Sequence, residues 1–147
     1  MNEEMKKPTF EEVVELLKDR KAVLFGSRAW GRAEPKSDYD YFMVLSEAEN
    51  FKEWVKSRGF LIQDNDYYVS GYYFFVDCNI INITGIKFPE YGAWESATEM
   101  MMNAPVEYLH DHDRKMLFES TLAILRHSMT EQKLPSKNPP PSKDLPF

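Results

Sequence analysis

The chain has 147 residues, of which 43% are hydrophobic and 14% aromatic, which is enough to bury the core of one globular domain. Its formal net charge of −6 argues against a broad basic face for nucleic acid, although a single nucleotide could still be bound through a metal ion and a few cations. The single Cys78 cannot form an internal disulfide, and no apolar run reaches the length of a membrane span. Because the first residues also lack the apolar core of a signal peptide, we predict a cytoplasmic protein without membrane contact.

The first predicted element is a helix that begins after Thr9. Thr9 and Glu12 have the spacing of a capping box, in which each side chain accepts a hydrogen bond from the other residue's backbone N–H. Val13 and Leu17 then mark one apolar face of a helix that ends near Arg20. We expect this face to be part of the core.

The next segment carries the residues that suggest a chemistry. A short apolar run ends at Gly26 and Ser27, and a second one begins directly after Asp38-Tyr39-Asp40. Side chains two residues apart on a strand leave the same face, so Asp38 and Asp40 should point the same way. Two adjacent carboxylates favour a cation between them, and Mg²⁺ prefers a few such oxygen ligands together with substrate phosphates. Gly26 would let a phosphate approach the backbone, while Ser27 and the amides after it would offer donors.

Gly26-Ser27, ten intervening residues and Asp38-Tyr39-Asp40 resemble the signature of the DNA polymerase β-like nucleotidyltransferase superfamily, most of all its minimal members. This resemblance implies an α/β (α+β) fold with a small mixed sheet flanked by helices. It also implies an NTP substrate and two Mg²⁺ ions held by the paired aspartates. The implied reaction transfers a nucleoside monophosphate (NMP) to a hydroxyl acceptor on a protein or nucleic acid, with release of pyrophosphate. The alternative is a plain Gly-Ser turn followed by an Asp-capped surface strand.

Three cations lie between the two halves of this motif. Arg28, Arg32 and Lys36 could each offset the charge of a triphosphate. We predict Arg28 and Lys36, together with Gly26 and Ser27, as nucleotide-binding residues. The alternative for each cation is an ordinary position on a solvated loop.

The residues after the motif indicate a second helix and a turn. Ser46 and Glu49 repeat the capping-box spacing, and Gly59 is a plausible helix stop. Because this helix connects the motif strand to the next one, we expect a parallel or mixed sheet. Asp64 and Asp66 repeat the spacing of paired carboxylates, but they flank an Asn, so we interpret them as part of a turn rather than as a metal site.

A third carboxylate is implied by the resemblance, on a strand beside the Asp-x-Asp strand. There it would help to hold the catalytic metal and accept the proton of the attacking hydroxyl. Asp77 is the only acid within residues 72–84 and is therefore the candidate for both roles. If the strand register centres instead on the residues after it, the third position falls to Asn79 or Asn82. An amide can coordinate Mg²⁺ through its oxygen, but it cannot act as a base.

The remaining segments are predicted to be structural. Pro89 opens a helix whose residues 100–102, all Met, fill the core or form an adaptable partner surface. We interpret residues 110–113, His-Asp-His-Asp, as the cap of a last helix rather than as a metal cluster. Residues 130–147 contain five prolines and no apolar periodicity, so we predict a disordered tail after a nucleotidyltransferase-like domain at 1–129.

Two classes of function follow from these features. The first is an enzyme, whose acceptor must be brought by a partner or a second copy because the chain lacks an evident second substrate domain. The second is a catalytically weak nucleotidyltransferase fold that regulates or neutralises a partner protein, as an antitoxin does. The Met-rich segment and the acidic net charge are compatible with the second class. The sequence leaves the acceptor, the preferred base and the oligomeric state open.

Overall fold

The computed structural model describes residues 7–31, 33–65, 70–105 and 108–133, with side chains described as far as residue 128. In chain order, these residues form α1 (Phe10–Asp19), β1 (Val23–Phe25), α2 (Ser27–Trp30), β2 (Tyr39–Val44), α3 (Leu45–Ser57), β3 (Gln63–Asn65), β4 (Gly71–Val76), β5 (Asn79–Ile86), α4 (Phe88–Asn103) and α5 (Asp111–Lys133). No helix in these ranges is long and apolar enough to cross a membrane.

The five strands form one mixed sheet in the order β1-β2-β5-β4-β3. β2 and β5 are parallel neighbours at its centre, and the other three pairs are antiparallel. The register places five residues in one row across the sheet: Phe25, Asp40, Asn82, Tyr73 and Gln63. Directly opposed residues share a face of the sheet. The register therefore decides which side chain stands beside Asp40.

Helices α1 and α3 cover one face of this sheet. The predicted capping box of α1 is confirmed, because Thr9 and Glu12 each accept from the other's backbone N–H. Val13, Phe51 and Val55 are fully buried against this face. Complete burial of a side chain of this size contributes roughly 1.5–3 kcal/mol to the free energy of folding, so these two helices are packed firmly on this face of the sheet.

Helices α2, α4 and α5 pack on the other face, where an aromatic cluster joins them to β1. Phe25 packs edge-on to Trp94 of α4 at 5.6 Å and stacks on Phe118 of α5 at 5.8 Å between ring centroids. Phe118 also lies 5.1 Å from Trp30, which follows the Gly-Ser turn. Offset and edge-to-face aromatic pairs add about 0.5–1.5 kcal/mol each to their burial. Helix α5 is thereby held against the end of β1.

Local predictions fared differently along the chain. Gly59 has φ +91° and ends the α3 segment as predicted. The second capping box is wrong: α3 begins at Leu45, one residue before Ser46, and its N-cap is Val44, which has no side-chain acceptor. Asp64 lies in β3 rather than in a turn, because residues 63–65 pair with β4. Pairing with a neighbouring strand outweighed the local turn preference.

The C-terminal part agrees with the predicted helices but not with all their details. Pro89 lies in the first turn of α4, as predicted. Met101 is buried, whereas Met100 and Met102 are more than half exposed, so only part of the Met segment fills the core. Helix α5 continues to Lys133 and overlaps the start of the predicted tail. Residues 134–147, Asp66 and Arg32 lie outside the described residues.

Candidate active site

A cleft of about 390 Å³ opens where β1, β2 and β5 meet α5. Gly26, Ser27, Asp38 and Asp40, four of the predicted site residues, line it together. Asn82 of β5 also lines it, directly beside Asp40 in the register of the sheet. The two halves of the motif are therefore brought to one place by the antiparallel pairing of β1 with β2.

The turn at Gly26 requires glycine for two separate reasons. Its φ of +83° and ψ of −162° fall in a region that is essentially restricted to glycine. In addition, a Cβ at this position would lie 2.6 Å from Asp40 Oδ2. The single helical turn α2 that follows is hydrogen-bonded to the same residue, because the N–H groups of Ala29 and Trp30 donate to the Gly26 carbonyl. The backbone of this turn thus lies directly against the carboxylate of Asp40.

The two aspartates are bridged by an amide. Asn82 Nδ2 donates to Asp38 Oδ2 at 2.9 Å and to Asp40 Oδ1 at 3.0 Å. The oxygen of the same amide accepts from Asn65 Nδ2 at 3.2 Å. Asp38 and Asp40 therefore do face the same way, as their spacing predicts. The position beside them is occupied by an amide.

The environment of Asp40 disfavours its ionised form. Its pKa is raised from 3.8 to about 6, chiefly by burial and in addition by the negative charge of Asp38, while the hydrogen bond from Asn82 offsets part of this increase. A nearby cation would lower the free-energy cost of ionising such a carboxylate. Among the described residues, no three His, Cys, Asp or Glu side chains form a metal-ligand group. The two carboxylates fit one Mg²⁺ whose other ligands come from phosphate and water, as this ion commonly binds.

The structure does not bring Asp77 to this site, which corrects the expected placement. Asp77 and Cys78, with φ of +49° and +70°, lie between β4 and β5 as the turn of a hairpin. Asp77 Oδ2 accepts a 2.8 Å hydrogen bond from the N–H of Phe10, at the start of α1 on the opposite face of the sheet. The third position, beside Asp38 and Asp40, is occupied by Asn82, one of the two alternatives that the sequence left open.

Replacing Asp77 should therefore affect stability and not nucleotide binding. Asp77→Ala removes the acceptor for the Phe10 N–H and a residue that tolerates positive φ, so the free energy of unfolding should fall by about 1–2 kcal/mol. Asp77→Asn, which keeps an acceptor oxygen, is the matched control and should lose less. Denaturant unfolding and calorimetry with Mg²⁺-NTP measure the two properties. Weaker nucleotide binding in Asp77→Asn would show that Asp77 does contribute to the nucleotide site.

The predicted cations of the motif loop lie elsewhere. Arg28 Nη2 donates to the carbonyls of Pro35 and Ser37, both at 2.9 Å, and its guanidinium lies 4.1 Å from the ring centroid of Tyr39. Arg28 therefore shapes the loop that leads into Asp38. Neither Arg28 nor Lys36 is among the described residues that line the cleft, and their contact with phosphate stays a prediction.

Two cations that the sequence did not indicate line the cleft instead. Arg114 and Lys115 come from the first turns of α5. Arg114 is only 2% exposed; it donates to the Leu109 carbonyl at 2.8 Å and forms an ion pair with Asp111. Asp111, a predicted cap, is thus the first residue of α5 and the partner of Arg114. The sole sequence signal was a pair of basic residues near a helix start, where acids are usually favoured.

The comparisons with known proteins agree with this arrangement of elements. A family model described as the nucleotidyltransferase domain matches residues 7–90, which is more than half of the chain. The chain therefore belongs to the nucleotidyltransferase domain family, as its motif predicted. No curated protein and no solved structure was found to match it. The matched region ends in the first turn of α4, so α5 with its two cations lies beyond it.

Gly26→Ala should disrupt this cleft more than the same substitution at another glycine would. The new Cβ must displace the Asp40 carboxylate, so we expect the affinity for Mg²⁺-NTP to fall by roughly tenfold or more, in addition to about 1–3 kcal/mol of backbone strain. Gly59→Ala is the matched control, because its φ is also positive but its Cβ would meet only the flexible Lys7 side chain, at 3.4 Å from Cε. Calorimetry should find nucleotide affinity reduced in the first variant alone. Equal affinities would contradict the close contact with Asp40.

Proposed function

We propose that this protein is a Mg²⁺-dependent nucleotidyltransferase that transfers NMP from an NTP to a hydroxyl acceptor. The convergence of Asp38 and Asp40 with Gly26 and Ser27 in one cleft is the observation that carries this proposal. In the reaction, the acceptor oxygen bonds to the α-phosphorus and the bond from that phosphorus to the pyrophosphate oxygen breaks. The hydroxyl proton passes to a base or to water, and pyrophosphate leaves with its electron pair.

Each residue has a role that follows from its position. Asp38 and Asp40 would hold the Mg²⁺, which when bound offsets phosphate charge and lowers the pKa of the attacking hydroxyl. Gly26 leaves room for the β- and γ-phosphates beside the backbone, and the hydroxyl of Ser27 can donate to them. Arg114 and Lys115 lie on the α5 wall of the cleft beside Asp111 and Glu119, and either cation can donate to a phosphate oxygen.

A second candidate function is favoured by Asn82. The resemblance to the superfamily implies a carboxylate at the position that Asn82 occupies beside Asp38 and Asp40. Without that base, the same cleft could still bind Mg²⁺-NTP but transfer NMP slowly. In this case the protein is a nucleotide-binding module that acts on a partner protein by binding rather than by chemistry.

Labelled nucleotides distinguish these candidates. The protein is incubated with Mg²⁺ and each NTP labelled at the α-phosphorus, with and without cell lysate, and acid-insoluble label and free pyrophosphate are measured. We expect both products, abolished by EDTA, and no acid-insoluble label when the label is on the γ-phosphorus. Nucleotide binding by calorimetry without any transfer supports the binding module. Absence of both binding and transfer would overturn both candidates.

A further inference from the structure

An exposed aromatic surface lies on the sheet next to the cleft. We define it by Tyr73 and Phe75 of β4 and Ile80 of β5. The rings of Tyr73 and Phe75 are 6.3 Å apart between centroids, and Phe75 is 57% exposed. Exposed aromatic side chains occur elsewhere on the chain, as at Phe88, so it is the position of this surface beside the active site that is informative.

This aromatic surface shares a face with the catalytic residues. Tyr73 is the register partner of Asn82, and Phe75 is the partner of Ile80. The alternate residues of β4, Tyr72 and Phe74, are buried on the opposite face under α1 and α3. Because side chains alternate along a strand, Tyr73 and Phe75 continue the surface that carries Asp40 and Asn82.

The order of the strands places this surface on the acceptor side of the reaction. The Gly26-Ser27 turn that would hold the departing phosphates follows β1, while Asp38 directly precedes β2 and Asp40 is its second residue. In an in-line displacement the attacking and leaving oxygens stand on opposite sides of the phosphorus. If pyrophosphate departs toward β1, the acceptor hydroxyl must approach over β5 and β4, where the aromatic surface lies.

The charge around the aromatic surface limits the kind of acceptor. From residue 60 to residue 86 the sequence contains no Lys or Arg, and the two described acids of this stretch, Asp64 and Asp77, bond to Lys52 of α3 and to the Phe10 N–H of α1 on the opposite face. Proteins that bind single-stranded nucleic acid combine stacking aromatics with a positively charged groove that follows the phosphates. These strands offer the aromatics without the cations. An apolar protein segment fits them better than a polyanion.

We propose that the aromatic surface binds the acceptor, and that this acceptor is a protein whose hydroxyl-bearing segment packs apolar side chains on Phe75 and Tyr73. This inference rests on the proposed transferase function and names its substrate class. Phe75 acts here as a specificity-determining residue that positions the acceptor and takes no part in nucleotide binding.

The test compares Phe75→Ala with Phe88→Ala in the full chain. Phe88 is the matched control because it is 75% exposed at the start of α4 and does not line the cleft. With Mg²⁺, α-labelled NTP and lysate, we expect labelled product to fall roughly tenfold or more in Phe75→Ala and to stay unchanged in Phe88→Ala. The dissociation constant for Mg²⁺-NTP, measured by calorimetry, should be the same in all three proteins.

The product identifies the acceptor class. Label that protease releases from the acid-insoluble fraction and nuclease does not supports a protein acceptor, and the reverse would overturn it. Equal labelling by Phe75→Ala and the unmodified chain would overturn the role of the aromatic surface while leaving the transferase function intact. If the unmodified chain gave no labelled product at all, the proposed function would fail and this inference with it.

Discussion

Asn82→Asp is expected to raise the rate of nucleotidyl transfer by about 10²-fold or more, which is the usual contribution of a general base. Asn82 stands between Asp38 and Asp40, within 3.0 Å of an oxygen of each, and its amide cannot accept the proton of an attacking hydroxyl. A carboxylate at the same place could accept it and could also add a ligand to a metal ion. The initial rate of pyrophosphate release at saturating Mg²⁺-NTP measures the effect.

The same substitution should make the protein dependent on Mg²⁺ for stability. The introduced carboxylate would replace two donated hydrogen bonds by a third negative charge, so the metal-free protein should melt at a lower temperature and recover when Mg²⁺ is added. Asn79→Asp is the matched control: it makes the same change in the same strand, outside the cleft. A rate unchanged in Asn82→Asp, with the fold intact, would show that the missing carboxylate does not limit transfer.

Asp40→Asn is expected to abolish Mg²⁺-dependent nucleotide binding and, at the same time, to stabilise the metal-free protein at neutral pH. The pKa of Asp40 is raised from 3.8 to about 6, mainly by burial, so folding favours its protonated form. The stability from this preference is complete below about pH 3.8 and is lost as the pH rises through about 6. Asparagine keeps a neutral side chain at every pH. The gain at pH 7 should be about 3 kcal/mol.

Two measurements separate these opposite effects. Urea unfolding at several pH values between about 4 and 8 should show a difference between Asp40→Asn and the unmodified chain that grows with pH, whereas calorimetry at about pH 7.5 should detect no binding of Mg²⁺-NTP by the variant. Asp64→Asn is the control, because the carboxylate of Asp64 is 82% exposed and its removal should change neither property. Unchanged nucleotide affinity in Asp40→Asn would contradict the assignment of this residue to the metal.

The features that could be predicted from the sequence depend on neighbours along the chain. The capping box of Thr9 and Glu12 spans three residues, and the common direction of Asp38 and Asp40 follows from the two-residue period of a strand. The Gly26-Ser27 turn needs only the backbone freedom of one glycine, with φ of +83°. These interactions form between residues close together in the chain. The sequence alone therefore determined the mixed fold, the family and the part of the site formed by the Gly-Ser turn and the two aspartates.

The identity of the third site residue and the source of the cleft cations were decided only by the tertiary structure. The parallel register of β2 with β5 places Asn82, and not Asp77, beside Asp40. A shift of the strand by one residue would have turned every one of its side chains to the other face of the sheet. Arg114 reaches the cleft because Phe118, four residues later on α5, packs on the ring of Phe25. Both outcomes depend on contacts between residues more than 40 positions apart, whose energies come from pairing and burial that no local pattern encodes.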